Sequence, residues 1–190
     1  MIWRGREMRL FIAVDIDRQD MLQRLKELEE ELSSLHVPMK LVEPENFHIT
    51  VRFIGEVAEY VAGEIRGRIL PGLRFKPFRL RLAGIGGFPS PSNARVIWVG
   101  IVKGFDELKD IREQIDRGLR EIGITLEQEE FTPHLTLARI KERGSPAVLK
   151  FIMEKSNYEI GEMEVRSVRL KKSTLTPRGP IYETLAEARV

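Results

Sequence analysis

His48-Ile49-Thr50-Val51 and His134-Leu135-Thr136-Leu137 share one pattern: histidine, apolar, threonine, apolar. Each sits in an alternating run that predicts a β-strand, where residues i and i+2 point to the same face. His48 and Thr50 therefore face one way, as do His134 and Thr136. Ile49, Val51, Leu135 and Leu137 face the core. The protein has three histidines, and two of them head these matching tetrapeptides. The third, His36, has no such context. The expectation is that the two strands lie side by side and bring both imidazoles to one phosphate.

Working outward, each motif is flanked by the same order of elements. Arg9 to Asp15 reads as a buried strand. Residues 20–35 read as an amphipathic helix, with Asp17 or Asp20 placed to cap it and Pro38 ending it. Met39 to Val42 is a short strand. Phe47 to Ile54 alternates cleanly, with His48, Thr50 and Arg52 on one face, and Gly55 closes it. Residues 57–70 predict a second helix, weakened by Gly63 and Gly67. In the second half, Phe78 to Ile85 is a strand and Gly84 to Asn93 a loop rich in Gly, Pro and Ser. Arg95 to Val102 is a buried strand, residues 105–122 an amphipathic helix and residues 134–140 the second motif strand. A short helix over 145–155 carries Ser145 as cap and Pro146 in its first turn. Closing strands over 160–173 and 181–186 are joined by Thr176-Pro177-Arg178-Gly179-Pro180. The motifs thus fall near corresponding points of two half-chains. This predicts an α+β fold: a bilobal, pseudo-symmetric pair of antiparallel sheets with helices outside and a central cleft. Residues 1–190 are expected to form a single such domain, with 1–7 as an N-terminal extension ahead of Met8.

Composition sets the class. The chain has 190 residues, 42% of them hydrophobic, as expected of a soluble globular protein. Charged residues reach 32% and cysteine is absent, a pairing that hints at a thermophilic, intracellular source. Without cysteine there is neither disulfide nor thiolate metal site. A net charge of +2 and a pI near 8.9 permit a local basic face. No apolar run approaches the ~20 residues of a membrane helix, and the N-terminus lacks the apolar core of a signal peptide. A cytoplasmic protein, monomeric for want of any legible association surface, is expected.

Imidazole titrates near neutrality, so one histidine can act as base while another acts as acid. A phosphodiester needs both: one group deprotonates the attacking oxygen and another protonates the leaving oxygen. Two histidines flanking one phosphorus supply these roles without a metal or cofactor. A threonine at i+2 adds a hydroxyl for the non-bridging oxygens, whose charge grows at the transition state. One such motif is close to noise; two, in a chain with three histidines, are not. The other chemistries find no footing. Zinc would need a third ligand at suitable spacing. The sequence contains no G-x-S-x-G and no GxxxxGK[ST].

With both motifs in hand, the chain resembles the two-histidine phosphoesterase superfamily. It is most similar to the RNA 2',3'-cyclic phosphodiesterases, also called 2'-5' RNA ligases (LigT/ThpR-like). The resemblance runs from Arg9 to about Leu185, through RLFIAVDI, VEPENFHITVRFIGEV, GGFPSPSNARVIWVG, FTPHLTLARI and LKKSTLTPRGPIYETL. It implies metal-independent hydrolysis of RNA 2',3'-cyclic phosphate ends to 2'-phosphates, with 2'-5' ligation as the reverse use of the same chemistry. It also implies RNA ends or nucleotides as partners, tRNA halves among them. The family's catalytic positions fall on His48 and His134, and its threonines on Thr50 and Thr136. By analogy His134 is the base and His48 the acid, although the residues alone leave these roles open. Two alternatives stand beside this reading. One is a catalytically weak RNA- or nucleotide-binding module. The other is a phosphodiesterase for a small cyclic phosphate such as ADP-ribose 1'',2''-cyclic phosphate.

Further substrate-binding candidates are weaker. Arg139 ends the HLTLAR segment, but strand parity sets it opposite His134 and Thr136, so it needs a strand end or a bulge to reach the cleft. Arg52 has the parity of His48, but an exposed strand arginine is the commoner case. Phe11 offers a face for base stacking, against the commoner role of core packing. Tyr182 is placed to hydrogen-bond near the cleft or simply to pack. Lys171, Lys172 and Arg178 form either a basic rim for an RNA backbone or a charged edge that resists aggregation.

Overall fold

The alternating stretches and apolar stripes become strands and helices in the computed structural model, which describes residues 6–190. The strands are β1 (Glu7–Asp15), β2 (Met39–Leu41), β3 (His48–Ala58), β4 (Phe78–Phe88), β5 (Val96–Lys103), β6 (Leu135–Ile140), β7 (Glu159–Val165), β8 (Ser167–Thr176) and β9 (Gly179–Arg189). The helices are α1 (Gln19–Ser33), α2 (Glu59–Glu64), α3 (Phe105–Glu121) and α4 (Pro146–Glu154). A π-helical stretch (Ile65–Ile69) and a last turn (Leu70–Gly72) continue α2. Residues 1–5 of the expected extension lie outside the described residues, and Glu7 already pairs with Ala58 in β1.

The strands hydrogen-bond in the order β7-β4-β5-β6-β3-β1-β8-β9, with β2 added on β6. Two four-stranded antiparallel halves, β6-β5-β4-β7 and β3-β1-β8-β9, meet at the motif strands. They are joined there by the one registered pair Ile49–Leu135. The halves repeat one register. Val14 and Ala13 oppose Ile49 and Thr50 in one, and Val99 and Trp98 oppose Leu135 and Thr136 in the other.

Immediately after each His-x-Thr the register slips by one residue. Ile12 opposes Arg52 while Ala13 opposes Thr50, leaving Val51 as the extra residue of a β-bulge. Ile97 opposes Ala138 while Trp98 opposes Thr136, leaving Leu137 in the same position. Both bulge carbonyls are satisfied. Arg112 Nη1 donates to Val51 O at 3.2 Å, and Val42 N to Leu137 O at 2.9 Å. Beyond each bulge the facing of the strand is reversed. Arg52 consequently turns away from His48 and is only 4% exposed. It forms a two-pronged pair with Asp116 of α3 at 2.7 and 2.9 Å, a fork-on-carboxylate geometry suited to a buried charge. Glu129 adds a contact at 3.3 Å.

The helices bind the two halves together. α1 buries Met21, Leu25, Leu28 and Leu32, each worth about 2 kcal/mol of apolar burial. Although it follows β1 in sequence, it packs on β7 and β6 of the other half. Arg24 Nη1 ties it there by donating to Ile160 O at 2.9 Å. α3 buries Leu108, Ile111, Ile115 and Leu119 and packs reciprocally on β3. One continuous apolar cluster results. Among the described residues no helix is long and apolar enough to cross a membrane.

Four local expectations are corrected. Neither Asp17 nor Asp20 caps α1; Arg18 occupies that position without a side-chain cap. Gly84 to Phe88, expected as loop, extends β4. β3 runs on past Gly55 to Ala58. The expected closing strand 160–173 is two strands that part at Arg166. By contrast, Ser145 caps α4 as expected, accepting from Val148 N at 3.4 Å. The third histidine, His36, sits just past α1 at φ 54°, the left-handed geometry common after a helix end.

Two stability predictions follow from buried charge. Asp116→Ala strands Arg52 in the interior, with Glu129 as its remaining partner, and should cost about 3 kcal/mol in urea unfolding. Glu29 of α1 is 7% exposed. Burial, reinforced by the charge of Glu43, pushes its carboxyl up to about 8. The folded state therefore holds a proton that the unfolded chain releases near 4.5, so stability should fall as pH rises from about 4.5 through 8. Melting temperatures of Glu29→Gln across that range should show a shallower decline than the native chain.

Candidate active site

The motif residues share one face of the sheet at the junction of the halves. The pair Ile49–Leu135 fixes the antiparallel register of β3 against β6. Continued one residue to either side, it sets His48 across from Thr136 and Thr50 across from His134. The imidazoles then occupy one diagonal of a two-by-two array and the hydroxyls the other; diagonal neighbours in an antiparallel pair lie about 7–8 Å apart, with their Cβ atoms somewhat closer. All four side chains are half-buried. The two rings also sense each other, since the His134 charge contributes to lowering the pKa of His48.

Both rings are held in the same way. His48 Nδ1 lies 2.6 Å from Asn46 O, and His134 Nδ1 lies 2.8 Å from Thr132 O, each partner two residues earlier in the chain. A carbonyl can only accept, so Nδ1 carries the proton in both and Nε2 is left as the free base of the neutral ring. Thr50 Oγ1 donates to His48 Nε2 at 3.1 Å. Burial pushes the pKa of His48 down, partly offset by the Asn46 carbonyl; Lys171 lowers it further and Asp15 raises it. Burial likewise pushes His134 down, offset by the Thr132 carbonyl and assisted by the charge of Arg139.

The bulge at Leu137 brings Arg139 to the site against simple parity. Val96 and Trp98 share a face of β5, and they oppose Arg139 and Thr136 respectively. Arg139 therefore stands on the face of Thr136, exposed, and its charge acts on both His134 and Tyr182. Arg52, the residue with apparent parity, is the one removed to the core. Phe11, Tyr182 and His48 form a triangle of rings with centroids 5.0–5.3 Å apart. Phe11 is only 4% exposed and serves as a buried wall behind the imidazole rather than an open stacking face. Tyr182 is half-buried, and burial pushes its phenol pKa up. It lies on β9 opposite Ser173, and the β8–β9 connection just before it is tied down by Lys40 Nζ, donating to Arg178 O at 3.1 Å, and by Asn46 Nδ2, donating to Pro180 O at 3.4 Å.

Of the expected basic rim, Arg178 is exposed, but Lys171 is not free. Lys171 is 6% exposed and donates to both oxygens of Asp15 at 2.7 and 2.9 Å. Arg169 bonds the same carboxylate at 2.6 Å. Asp15 is the register partner of His48, so this ion cluster lies beside that imidazole. Sequence reading missed it, and also Phe88 and Trp98, whose rings border His134 at 5.0 and 6.5 Å. These residues come from strands far apart in the chain, and only the register shows that they adjoin the motifs. Among the described residues no group of three or more His, Cys, Asp or Glu is assembled that could hold a metal ion.

A fold whose two halves each give one histidine–threonine strand to a common face defines the class of two-histidine phosphoesterases. The family model for LigT-like phosphoesterases matches residues 14–98 and again residues 99–182, each range holding one motif, and the chain belongs to that family. Its relatives include the RNA 2',3'-cyclic phosphodiesterase of Aeropyrum pernix, 51% identical over 89% of this chain and 96% of that protein. That of Archaeoglobus fulgidus is 42% identical over 94% and 98%. Among solved structures, the Thermus thermophilus protein TT0787 superposes with a TM-score of 0.81 at 27% identity, covering 96% of this chain and 97% of that one. Escherichia coli LigT bound to NADP+ shares the fold, with a TM-score of 0.71 at 20% identity over 97% and 99%.

The carbonyl locks predict the resting state of both rings. At pH 8, nitrogen-15 NMR of the imidazoles should show the Nδ1–H tautomer for His48 and His134. Both should titrate below 6.5, the ordinary value, whereas a ring with Nε2–H would contradict the lock.

Proposed function

We propose that the protein hydrolyses RNA 2',3'-cyclic phosphate ends to 2'-phosphates, with His48 and His134 as the acid–base pair. The observation that carries this reading is that two imidazoles, each locked by a carbonyl two residues earlier, stand on motif strands joined by the pair Ile49–Leu135. The names of the relatives at 42–51% identity support the same substrate class. One Nε2 takes a proton from water as the water oxygen bonds to phosphorus. The P–O3' bond breaks, and the other ring, entering as imidazolium, gives its proton to O3'. Thr50, Thr136 and Arg139 face the non-bridging oxygens and stabilise the charge that builds there. Tyr182 borders the nucleoside on the His48 side. By analogy with the family His134 is the base, and in 2'-5' ligation a 5'-hydroxyl takes the place of water.

Chemistry of this kind requires one ring neutral and the other protonated. Both pKa values lie below 6.5 in the free protein, so kcat/KM should peak on the acid side of that value and fall as the acid ring deprotonates. A bound phosphate anion favours imidazolium, so the kcat profile should lie at higher pH than that of kcat/KM.

The test is incubation with a 2',3'-cyclic nucleotide and a cyclic-ended oligonucleotide in the presence of chelator. Hydrolysis to the 2'-phosphate is expected. His48→Ala and His134→Ala should each lower kcat by about 10²–10⁴-fold, and the double variant should be little worse, because the pair acts as a unit. Binding without turnover at any pH would make the protein a binding module. Faster turnover of ADP-ribose 1'',2''-cyclic phosphate than of either RNA substrate would move the assignment to a small nucleotide.

A further inference from the structure

Just beyond its bulge each motif strand turns one more side chain to the site, and the two halves differ there. Three positions after Thr136 stands Arg139, opposite Val96 of β5. Three positions after Thr50 stands Phe53, opposite Phe11 of β1. The half that lacks an arginine on its motif strand receives one from the neighbouring strand. The guanidinium carbon of Arg9, on β1, lies 5.0 Å from the centre of the Phe53 ring. Because β3 and β6 are antiparallel, Arg139 and the Arg9–Phe53 stack lie toward opposite ends of the histidine–threonine array.

Arg9 shares the face of the site. Leu10, Ile12 and Val14 are buried in the core, which turns Arg9, Phe11, Ala13 and Asp15 to the other side of β1. On that side Phe11 meets the His48 ring at 5.1 Å. Arg9 opposes Ser173 of β8, and Ser173 opposes Tyr182 of β9, so Arg9 and Tyr182 stand in one row with a serine between them. The charges of Arg9 and Arg139 both act on the Tyr182 phenol. Glu56 is the register partner of Arg9 on β3. Yet among the described residues Arg9 takes part in no ion pair and no side-chain hydrogen bond; its contact is the exposed Phe53 ring. Stacking on a ring uses the flat face of a guanidinium and leaves its in-plane N–H fork for an anion.

We propose that Arg9 is a specificity-determining residue: it holds a backbone phosphate upstream of the cyclic end, so that the site favours an oligonucleotide over a mononucleotide. This rests on the phosphodiesterase reading above and deepens it. A cyclic mononucleotide ends at the nucleoside that Tyr182 borders. An RNA end continues from that nucleoside through its 5'-oxygen to a further phosphate. On the same face Arg169 and Lys171 are held by Asp15, which leaves Arg9, in the row of Tyr182, to take that phosphate. A contact of this kind positions the chain without reading its bases. The two guanidinium groups thereby divide the work, Arg139 serving the reacting phosphate and Arg9 the chain behind it.

Three substrates test this: a cyclic mononucleotide, a cyclic-ended trinucleotide, and the same trinucleotide with uncharged methylphosphonate upstream linkages. Both trinucleotides are 2'-O-methylated upstream so that only the end reacts. The native chain should turn over the charged trinucleotide with a kcat/KM at least about tenfold above that of its methylphosphonate analogue, the range of a charge-assisted phosphate contact. Arg9→Gln should lower kcat/KM for the charged trinucleotide about tenfold more than for the mononucleotide, mainly through KM. It should also erase the penalty of the methylphosphonate and reduce the salt slope of trinucleotide binding by about 0.7. Phe53→Leu, which removes the perch and keeps the cation, should shift the preference in the same direction. A native chain indifferent to the methylphosphonate, or an equal loss on all three substrates in Arg9→Gln, would overturn the assignment and leave the stack a structural contact. Failure of the native chain to hydrolyse any cyclic phosphate would overturn the phosphodiesterase reading instead. Fluorescence anisotropy of a labelled 2'-phosphate-ended trinucleotide, charged against methylphosphonate, on native and Arg9→Gln chains would then decide the role of Arg9 separately.

Discussion

A single surplus residue in each motif strand, Val51 and Leu137, decides which side chains the cleft receives. Period-two alternation would send Arg52 toward the face of His48 and Arg139 away from the face of His134. The bulges invert both. Their cost is a carbonyl taken out of the ladder, and each is repaired by a group from another element: Arg112 of α3 for Val51 and Val42, just past β2, for Leu137. The face that carries the histidines is therefore specified partly from behind. Arg112 also contacts Glu129 at 3.2 Å, and Arg52 holds Asp116 on the same helix. The seating of α3 and the facing of β3 are one problem with one solution.

The swapped helices serve the same end. If each helix covered its own half, the halves could open about the lone Ile49–Leu135 pair, and the distance between the imidazoles would be loosely held. With α1 on β7 and β6 and α3 on β3, opening would expose the Leu and Ile stripes of both helices. Apolar burial thus holds a polar geometry that one ladder pair could not hold alone.

Much of this was legible along the chain because its signals are local. Strand alternation and helical stripes need a window of a dozen residues, and they located nearly every element and the His–Thr face. The failures share a cause. A bulge is visible as two successive inward residues; Leu137-Ala138 shows that signature, but in Val51-Arg52 the second residue is charged and its partner Asp116 is remote in sequence, so it read as an outward arginine. Asp15, Lys171, Phe88 and Trp98 belong to the site through register, which no short window contains. The break at Arg166 shows only as a change of parity in the apolar positions, from Met163 and Val165 to Val168 and Leu170, a one-residue slip that is easily read as a single strand. Phe11 was located correctly yet offered as a stacking face, and only burial by Lys171, Tyr182 and His48 around it shows that it is a wall.

Duplication explains the equivalence of the histidines, and departure from it explains how they can do different work. Two rings with the same tautomer and the same carbonyl lock have no built-in direction, so on the reading proposed above proton flow can run either way. Direction must then come from the surroundings. His48 stands against an ion cluster of one carboxylate and two cations, whereas His134 stands among apolar rings with one exposed cation, Arg139, nearby. Burial is the largest influence holding both rings down, but the charges beside them differ: His48 feels Lys171 and Asp15 together, and His134 feels Arg139 without a carboxylate to offset it. Lys171 is pinned to Asp15 at 2.7 and 2.9 Å, whereas Arg139 is exposed. On the reading proposed above, an anion that engages Arg139 alters the surroundings of His134 more than those of His48, so the asymmetry of the pair lies in which neighbouring cation is free to move.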